Sequence, residues 1–479
     1  MRQILWPRLL QGRQGQVTPA AGRPGDPWPA PLAPGPLAAA VSLPGSKSLT
    51  ARYLALAALA SGSTRLRGAL RSRDSDLMAQ ALRALGCHIA DAGTTLAIDP
   101  PAGSHSPAAA PGLAAGPAQT DADLAAGPAQ KNAGLASPAL IDVGLAGTVM
   151  RFLPPVAALA NQPIKFDGDA AARRRPIAPL LQALIELGAK VSYHDQDGCL
   201  PFTIQGPIQG GQVKLDATAS SQFASALMLV APALPGGLEL QLDPPQLPSR
   251  PHLDMTIQAL RDFGAKVEVT SPTAWHIDPG GLTGQDRAVE PDLSNAAPFL
   301  AAALVAGGHV TINDWPAQTT QPGQLLTSYL TQMGGTITQT AAGLTVAGDG
   351  RIRGANLDLA PAGELTPTLA ALATLAERPS RLRGIGHLRG HETDRLAALA
   401  SEIKRLGGQA EQLADGLEIH PAPLRPACLR SYGDHRMATF GAIIGLRLAG
   451  VEVEDITVTA KTMPTFPKLW AQMLAGDRG

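Results

Sequence analysis

The chain repeats one local plan six times, and a repeat of this length limits it to folds assembled from like supersecondary units. Short polar or hydroxyl-rich turns that open Ala/Leu-rich helices occur at Ser46, Gly147, Ser220, Asp292, Glu364 and Asp434, at intervals of 101, 73, 72, 72 and 70 residues. After each opening but the last, a second, amphipathic helix runs into a glycine: Leu85-Gly86-Cys87, Leu187-Gly188-Ala189, Phe263-Gly264-Ala265, Met333-Gly334-Gly335 and Leu406-Gly407-Gly408. Glycine just past a helix takes the left-handed conformation that closes the last turn, so these triplets predict helix ends. A strand follows each stop, at 96–98, 202–204, 275–277, 344–346 and 417–419. The spacing predicts six α/β units of about 70 residues, the sixth completed by a helix over 466–474.

The long first interval has a local cause. From 98 to 147 is 49 positions, where the equivalent stretches 204–220 and 277–292 span 16 and 15, so about 33 residues are extra. They coincide with an Ala/Gly/Pro-rich segment, 101–137, in which Leu-Ala-Ala-Gly-Pro-Ala-Gln occurs at 113–119 and again at 124–130. Such composition buries too little apolar surface to offset its ordering entropy, so the segment is expected to be a disordered insertion. The same is expected of the tail, 1–27, whose scattered arginines would suit a transit peptide but lack its amphipathic pattern.

Charge narrows the partners. Lys plus Arg equals Asp plus Glu, 39 each, so no global field favours nucleic acid or an anionic membrane, and a cationic function must be a local cluster. The apolar stretch 223–234 is too short to span a bilayer. Cys87, Cys199 and Cys428 form no Cys-x-x-Cys pair, which fits a reduced, cytoplasmic setting without disulfides or a cysteine zinc site.

Local clusters are present at the mouths of the units. Lys47 and Arg52 lie in the first turns of a helix, behind Ser46 and beside Ser48, where the macrodipole is already positive. That placement suits a bound phosphate or carboxylate, with a solvated basic turn as the bland alternative. The second unit opens Gly144-Leu145-Ala146-Gly147-Thr148-Val149-Met150-Arg151, the third Ser220-Ser221-Gln222, and the sixth Gly433-Asp434-His435-Arg436. For the serines, ordinary capping competes with ligand binding. Further cations are the run Arg173-Arg174-Arg175, where Pro176 fixes the turn, and Lys461 ahead of Pro464. His391-Glu392-Thr393-Asp394-Arg395 begins like a zinc-protease helix but has Arg395 in place of the second histidine, which rules out that metal site. Glu364 and Glu392, set among arginines, stay ionised readily and suit general-base work. Cations, hydroxyls and two carboxylates, without a dinucleotide fingerprint or a reactive-cysteine motif, describe a site for two small polyanions.

Leu43-Pro44-Gly45-Ser46-Lys47-Ser48 with Arg52, the Gly144 to Arg151 turn, Ser220-Ser221-Gln222, His391 to Arg395, Asp434-His435-Arg436-Met437-Ala438 and Lys461-Thr462 together resemble the EPSP synthase family, over 28–470 without the insertion. The resemblance implies an α/β fold of two similar domains, each of three repeated units with helices packed under sheets, joined by two crossover segments around an interdomain active site. One domain would comprise 28–45 and 289–479, the other 46–288. The implied reaction moves the enolpyruvyl group of phosphoenolpyruvate to the 5-hydroxyl of shikimate 3-phosphate, with no cofactor or metal, in a monomer.

By the same resemblance, Lys47 meets both substrates, and Ser48 and Arg52 hold the shikimate carboxylate. Ser220, Ser221 and Ser249 hold the 3-phosphate, Gln222 covers the ring, and Glu364 and His391 complete the shikimate 3-phosphate contacts. Gly147, Arg175, Gln222, Arg395, Arg436 and Lys461 bind phosphoenolpyruvate. Glu364 is the base for the 5-hydroxyl and Glu392 the proton shuttle at the enol methylene. Leu145, His252, His387 and His391 stand where other members commonly have Asn, Tyr, Asn and Lys. Two rivals remain: the sister transferase acting on UDP-N-acetylglucosamine, against which the Ser-Lys-Ser, Ser-Ser-Gln and His-Glu-Thr-Asp-Arg strings weigh, and a non-catalytic binder of a phosphorylated metabolite.

Overall fold

The computed structural model describes residues 26–101, 139–245, 249–390 and 393–476. The expected insertion after Pro101, almost all of the expected tail, His391 and Glu392 lie outside them. Among the described residues, the helices are α1 (Lys47–Leu59), α2 (Arg73–Ala84), α3 (Gly147–Ala157), α4 (Ala170–Arg173), α5 (Ala178–Glu186), α6 (Ser221–Val230), α7 (Arg250–Asp262), α8 (Leu293–Ala306), α9 (Leu326–Gln332), α10 (Thr366–Thr374), α11 (Arg395–Arg405), α12 (His435–Gly445) and α13 (Phe466–Ala475).

The helices that open the units are buried on all sides. In α1, Leu54, Ala55, Leu56 and Ala57 are each 0% exposed, which a one-sided helix cannot achieve. Their alanines let backbones approach closely, and α3 packs on α6 while α10 packs on α12. The amphipathic α2, α5, α7, α9 and α11 follow, and each stops on its glycine: Gly86, Gly188, Gly264, Gly334 and Gly407 have φ of 96°, 109°, 96°, 108° and 83°.

Four of the six openings are side-chain N-caps. Ser46, Ser220, Asp292 and Asp434 accept from the backbone N–H of Leu49, Gln222, Asn295 and Arg436. Gly147 follows the cap residue Ala146. The fifth opening differs, because Glu364 sits in a 3-10 turn, Ala360–Leu365, that leads into α10. Pro367 in the first turn of α10 has no N–H to satisfy, so this helix starts without a side-chain cap.

The described strands form five four-stranded sheets and one three-stranded sheet. In each four-stranded sheet one parallel pair adjoins antiparallel neighbours; in the second unit, for example, Ala139–Asp142 runs parallel to Ile164–Asp167, and Phe202–Gln205 antiparallel to it. The crossovers supply the edge strands that the first and fourth units lack. Asp286–Ala288 pairs in parallel with Thr64–Arg67, and Leu37–Val41 with Gly308–Asn313. Each half is thus closed by a strand on its way to the other half. Two hydrophobic cores result, one from residues between 49 and 289, the other from 28–41 with 293–473.

The crossovers run antiparallel where they pass. Ser46 N–H donates to the Glu290 carbonyl at 2.7 Å and Asp292 N–H to the Pro44 carbonyl at 3.0 Å. A Cβ on Gly45 would collide with the Gly68 carbonyl, so the contact of this strand with the first half requires glycine.

Candidate active site

The starts of α1, α3 and α6 in the first half and the turn leading into α10 in the second face one cavity between the halves. Lys47 comes from the first turn of α1, Gly147, Thr148 and Arg151 from α3, and Ser220, Ser221 and Gln222 from the start of α6. Asp74, Arg175, Ser249 and His252 complete this wall. Opposite them the second half contributes Gly363, Glu364, His387, Gly390 and Lys461.

On the first wall the polar groups orient one another. Arg151 Nη1 donates to Gln222 Oε1 at 2.8 Å, and its guanidinium lies 5.4 Å from the Phe223 ring centroid. Burial, with the repulsion of Arg175 behind it, draws the Arg151 pKa down to about 9, which still leaves it protonated at neutral pH. A Cβ on Gly147 would sit 3.3 Å from Arg151 Nη1 and 3.7 Å from Arg175 Nη1, so glycine keeps the backbone open between two guanidiniums. Of the three adjacent arginines, Arg173 is held by the Asp167 carboxylate at 2.8 and 2.9 Å, and Arg174 donates to the Ala170 carbonyl at 3.3 Å. Arg175 faces the cavity and donates to the Leu145 carbonyl at 3.3 Å. Leu145 therefore contributes its backbone carbonyl. Ser220 Oγ accepts from Gln222 N–H at 3.3 Å while lining the cavity, so one hydroxyl caps the helix and faces the site.

Lys47 and Arg52 diverge. The Lys47 backbone N–H donates to Asp292 Oδ2 at 3.0 Å, across the crossovers, and its ammonium lies 3.6 Å from the Asp74 carboxylate. Arg52 is 2% exposed and points into the first half. Its Nε donates to Thr256 Oγ1 at 2.8 Å, Nη1 to the Ser48 carbonyl and Nη2 to the His252 carbonyl, both at 3.0 Å. Burial draws its pKa down to about 9. Neither Ser48 nor Arg52 is among the residues that line the cavity; Arg52 instead fastens α1 to the start of α7, next to Ser249 and His252.

On the second wall, Glu364 Oε1 accepts from Ser294 Oγ at 3.2 Å. His252 and His387 face the same space, and burial lowers both pKa values below the ordinary 6.5 although Glu364 works the other way, so both are neutral at pH 7. Arg395 stands behind this wall, 2% exposed, with Nε 2.7 Å from Asp434 Oδ2. Arg436 borders a smaller adjoining cavity with Ser294, Asn295 and Thr462, and donates to the Ser294 carbonyl at 3.5 Å. Burial and then the Arg395 charge lower its pKa. His391 and Glu392 lie outside the described residues.

Eight lining residues were not singled out as site residues from sequence: Asp74, Thr148, Arg151, Ala219, His252, Gly363, His387 and Gly390. Arg151 had a usable signal, a cation in a first helical turn that lacks an acid. Asp74 had none, because an acid near a helix N-terminus is what capping alone would place there.

Lys47, Arg151, Arg175 and Lys461 thus face two carboxylates, Asp74 and Glu364, in a cavity edged by serines and Gln222. A net positive space of this kind binds phosphate and carboxylate groups, and Glu364 can take a proton beside them.

The sequence matches the family profile of EPSP synthase (3-phosphoshikimate 1-carboxyvinyltransferase) over residues 32–124 and 120–470. It is 49% identical over 463 residues to the 3-phosphoshikimate 1-carboxyvinyltransferase of Mycobacterium ulcerans (strain Agy99), covering 95% of this chain and 99% of that one. Two solved structures of EPSP synthase from Acinetobacter baumannii share the fold, with TM-scores of 0.72 and 0.71, each at 24% identity over 92% of this chain and 97% of theirs.

Proposed function

The chain belongs to the EPSP synthase family, and on that premise we propose how its residues divide the work of the transfer. It is an enolpyruvyl transferase: the 5-hydroxyl of shikimate 3-phosphate attacks C2 of phosphoenolpyruvate while C3 gains a proton. Phosphate then leaves the tetrahedral adduct as C3 loses a proton, giving the enol ether. The chain works as a cytoplasmic monomer, a setting supported by three free thiols. Its two domains part at the crossovers, near 45 and 289.

Ser220, Ser221 and Ser249 hold the 3-phosphate, and Gln222, fixed by Arg151, covers the ring. Lys47 lies between the two substrates. Arg175 and Lys461 take the phosphate and carboxylate of phosphoenolpyruvate beside the open backbone of Gly147, with Arg395 and Arg436 closing from the second half. Glu364 removes the 5-hydroxyl proton. Ser48 and Arg52 serve the shikimate carboxylate, for which Arg52 must turn from its contacts with Thr256 and His252. His391 and Glu392, outside the described residues, take on the resemblance alone a shikimate 3-phosphate contact and the proton shuttle at C3.

The observation that carries this reading is the convergence of helix mouths from both halves on one cavity, with cations and hydroxyls on one side and Glu364 on the other. Cations at the positions of the leaving phosphate stabilise charge as it develops, and closure of the halves excludes water. Mixing the enzyme with both substrates should release inorganic phosphate and enol ether in equal amounts, and neither with one substrate omitted. Phosphate release without shikimate 3-phosphate would overturn the reading.

A further inference from the structure

Asp74 is a carboxylate that neither the family resemblance nor the reaction just described employs. It is 4% exposed, in the first turn of α2, and it lines the cavity. The capping of α2 is carried by other side chains: Ser72 Oγ accepts from Ser75 N–H at 3.4 Å, and Ser75 Oγ accepts from Ser72 N–H at 2.9 Å. The helix end therefore stabilises the Asp74 charge without using its oxygens for the cap. Its carboxylate lies 3.6 Å from Lys47 Nζ. That separation is ionic contact beyond hydrogen-bond range, so the carboxylate draws the ammonium toward it without engaging its donors.

Lys47 needs such a restraint. Its backbone is fixed by Asp292, but the ammonium ends a flexible four-carbon stem with many rotamers. Arg151, Arg175 and Lys461 share the cavity and repel it. Asp74 is the carboxylate on the Lys47 side that offsets this repulsion, and α2 also packs against the Thr457–Lys461 turn of the second half.

We propose that Asp74 is a positioning residue for the transfer reaction, holding the Lys47 ammonium at the point where two anionic substrates meet. The proposal rests on the assignment of Lys47 to both substrates. Its test is a double-mutant cycle on the full-length enzyme with Asp74→Asn, Lys47→Met and both together. It reads phosphoenolpyruvate and shikimate 3-phosphate dissociation constants, kcat and KM at a temperature well below unfolding. Asp74→Asn should raise the phosphoenolpyruvate KM by about ten- to a hundredfold, the scale of a charge-assisted contact, with Asp74→Glu in between. In the Lys47→Met background the same change should have almost no effect. Full additivity of the two variants, or kinetics within twofold of wild type for Asp74→Asn with only its thermal midpoint lowered, would overturn the proposal. Should Asp74→Asn not fold, Asp74→Glu decides: a raised KM supports the restraint and wild-type constants contradict it. Lys47→Met alone separates the two readings: unchanged affinity there refutes the assignment of Lys47 and the proposal with it, whereas weakened affinity there beside wild-type constants for Asp74→Asn refutes the role of Asp74 alone.

Discussion

The two walls of the cavity keep their arginines in opposite ways. On the first, Arg151 lies against the neutral Gln222 amide and the Phe223 ring, and its pKa drops to about 9. On the second, Arg395 is 2% exposed, more deeply buried than the half-buried Arg151, and stands against the Asp434 carboxylate at 2.7 Å. An arginine without a carboxylate offers its whole charge to a ligand and carries the desolvation cost until one arrives. A carboxylate-paired arginine contributes shape and direction with much of its charge already answered. The first wall is thus built to attract anions. On the proposed division of labour the second, with Glu364 and the neutral His387, moves protons among them.

The largest effect that would break this contrast belongs to the second wall. Glu364→Gln removes the proposed base while keeping shape, and kcat should fall about 10²–10⁴-fold in an assay of phosphate release. Next is Asp434→Asn, which strands Arg395 as an uncompensated buried charge. Urea unfolding should show a loss of about 3–5 kcal/mol, whereas Arg151→Met, on the other wall, should cost far less because no buried carboxylate is left behind. Equal losses from both would erase the distinction.

Ser220→Ala sharpens the first wall at smaller scale. Loss of the cap should cost about 1 kcal/mol of stability, and the shikimate 3-phosphate KM should rise with kcat at saturation held. Lost stability with unchanged KM would reduce Ser220 to a cap. The smallest effect is in pH. His252 and His387 have folded pKa values below 6.5, so the unfolded chain binds protons more readily. Stability is therefore full above pH 6.5 and falls as pH drops toward their folded values. The thermal midpoint of the ligand-free enzyme should decline below pH 6.5, and less steeply in a His252→Phe, His387→Asn variant.

The parts of the fold that follow local rules were legible. The stops at Gly86, Gly188, Gly264, Gly334 and Gly407 all took positive φ, because a glycine after a helix has one cheap conformation. Caps at Ser46, Ser220, Asp292 and Asp434 were equally local. What escaped was set by distance along the chain. The closure of each half by a crossover strand pairs Asp286–Ala288 with Thr64–Arg67, about which no nearby residue carries a signal. The 3-10 turn at Glu364 escaped because its helix starts without a side-chain cap. In the site, Lys47, Arg175 and Ser220 were visible as cations or hydroxyls at turn positions, whereas Asp74 gains its meaning only from an ammonium 27 residues earlier in the chain. The inward turn of Arg52 toward Thr256 was likewise invisible, since both partners read as ordinary helix residues.

The division of labour between the walls is tested most directly by calorimetric titration of shikimate 3-phosphate into Glu364→Gln and into a Ser220→Ala, Ser221→Ala variant, beside the turnover of each. The account predicts near wild-type affinity with lost turnover for the first, and weakened affinity with turnover retained at saturating substrate for the second. Affinity and turnover falling together in both variants would contradict it.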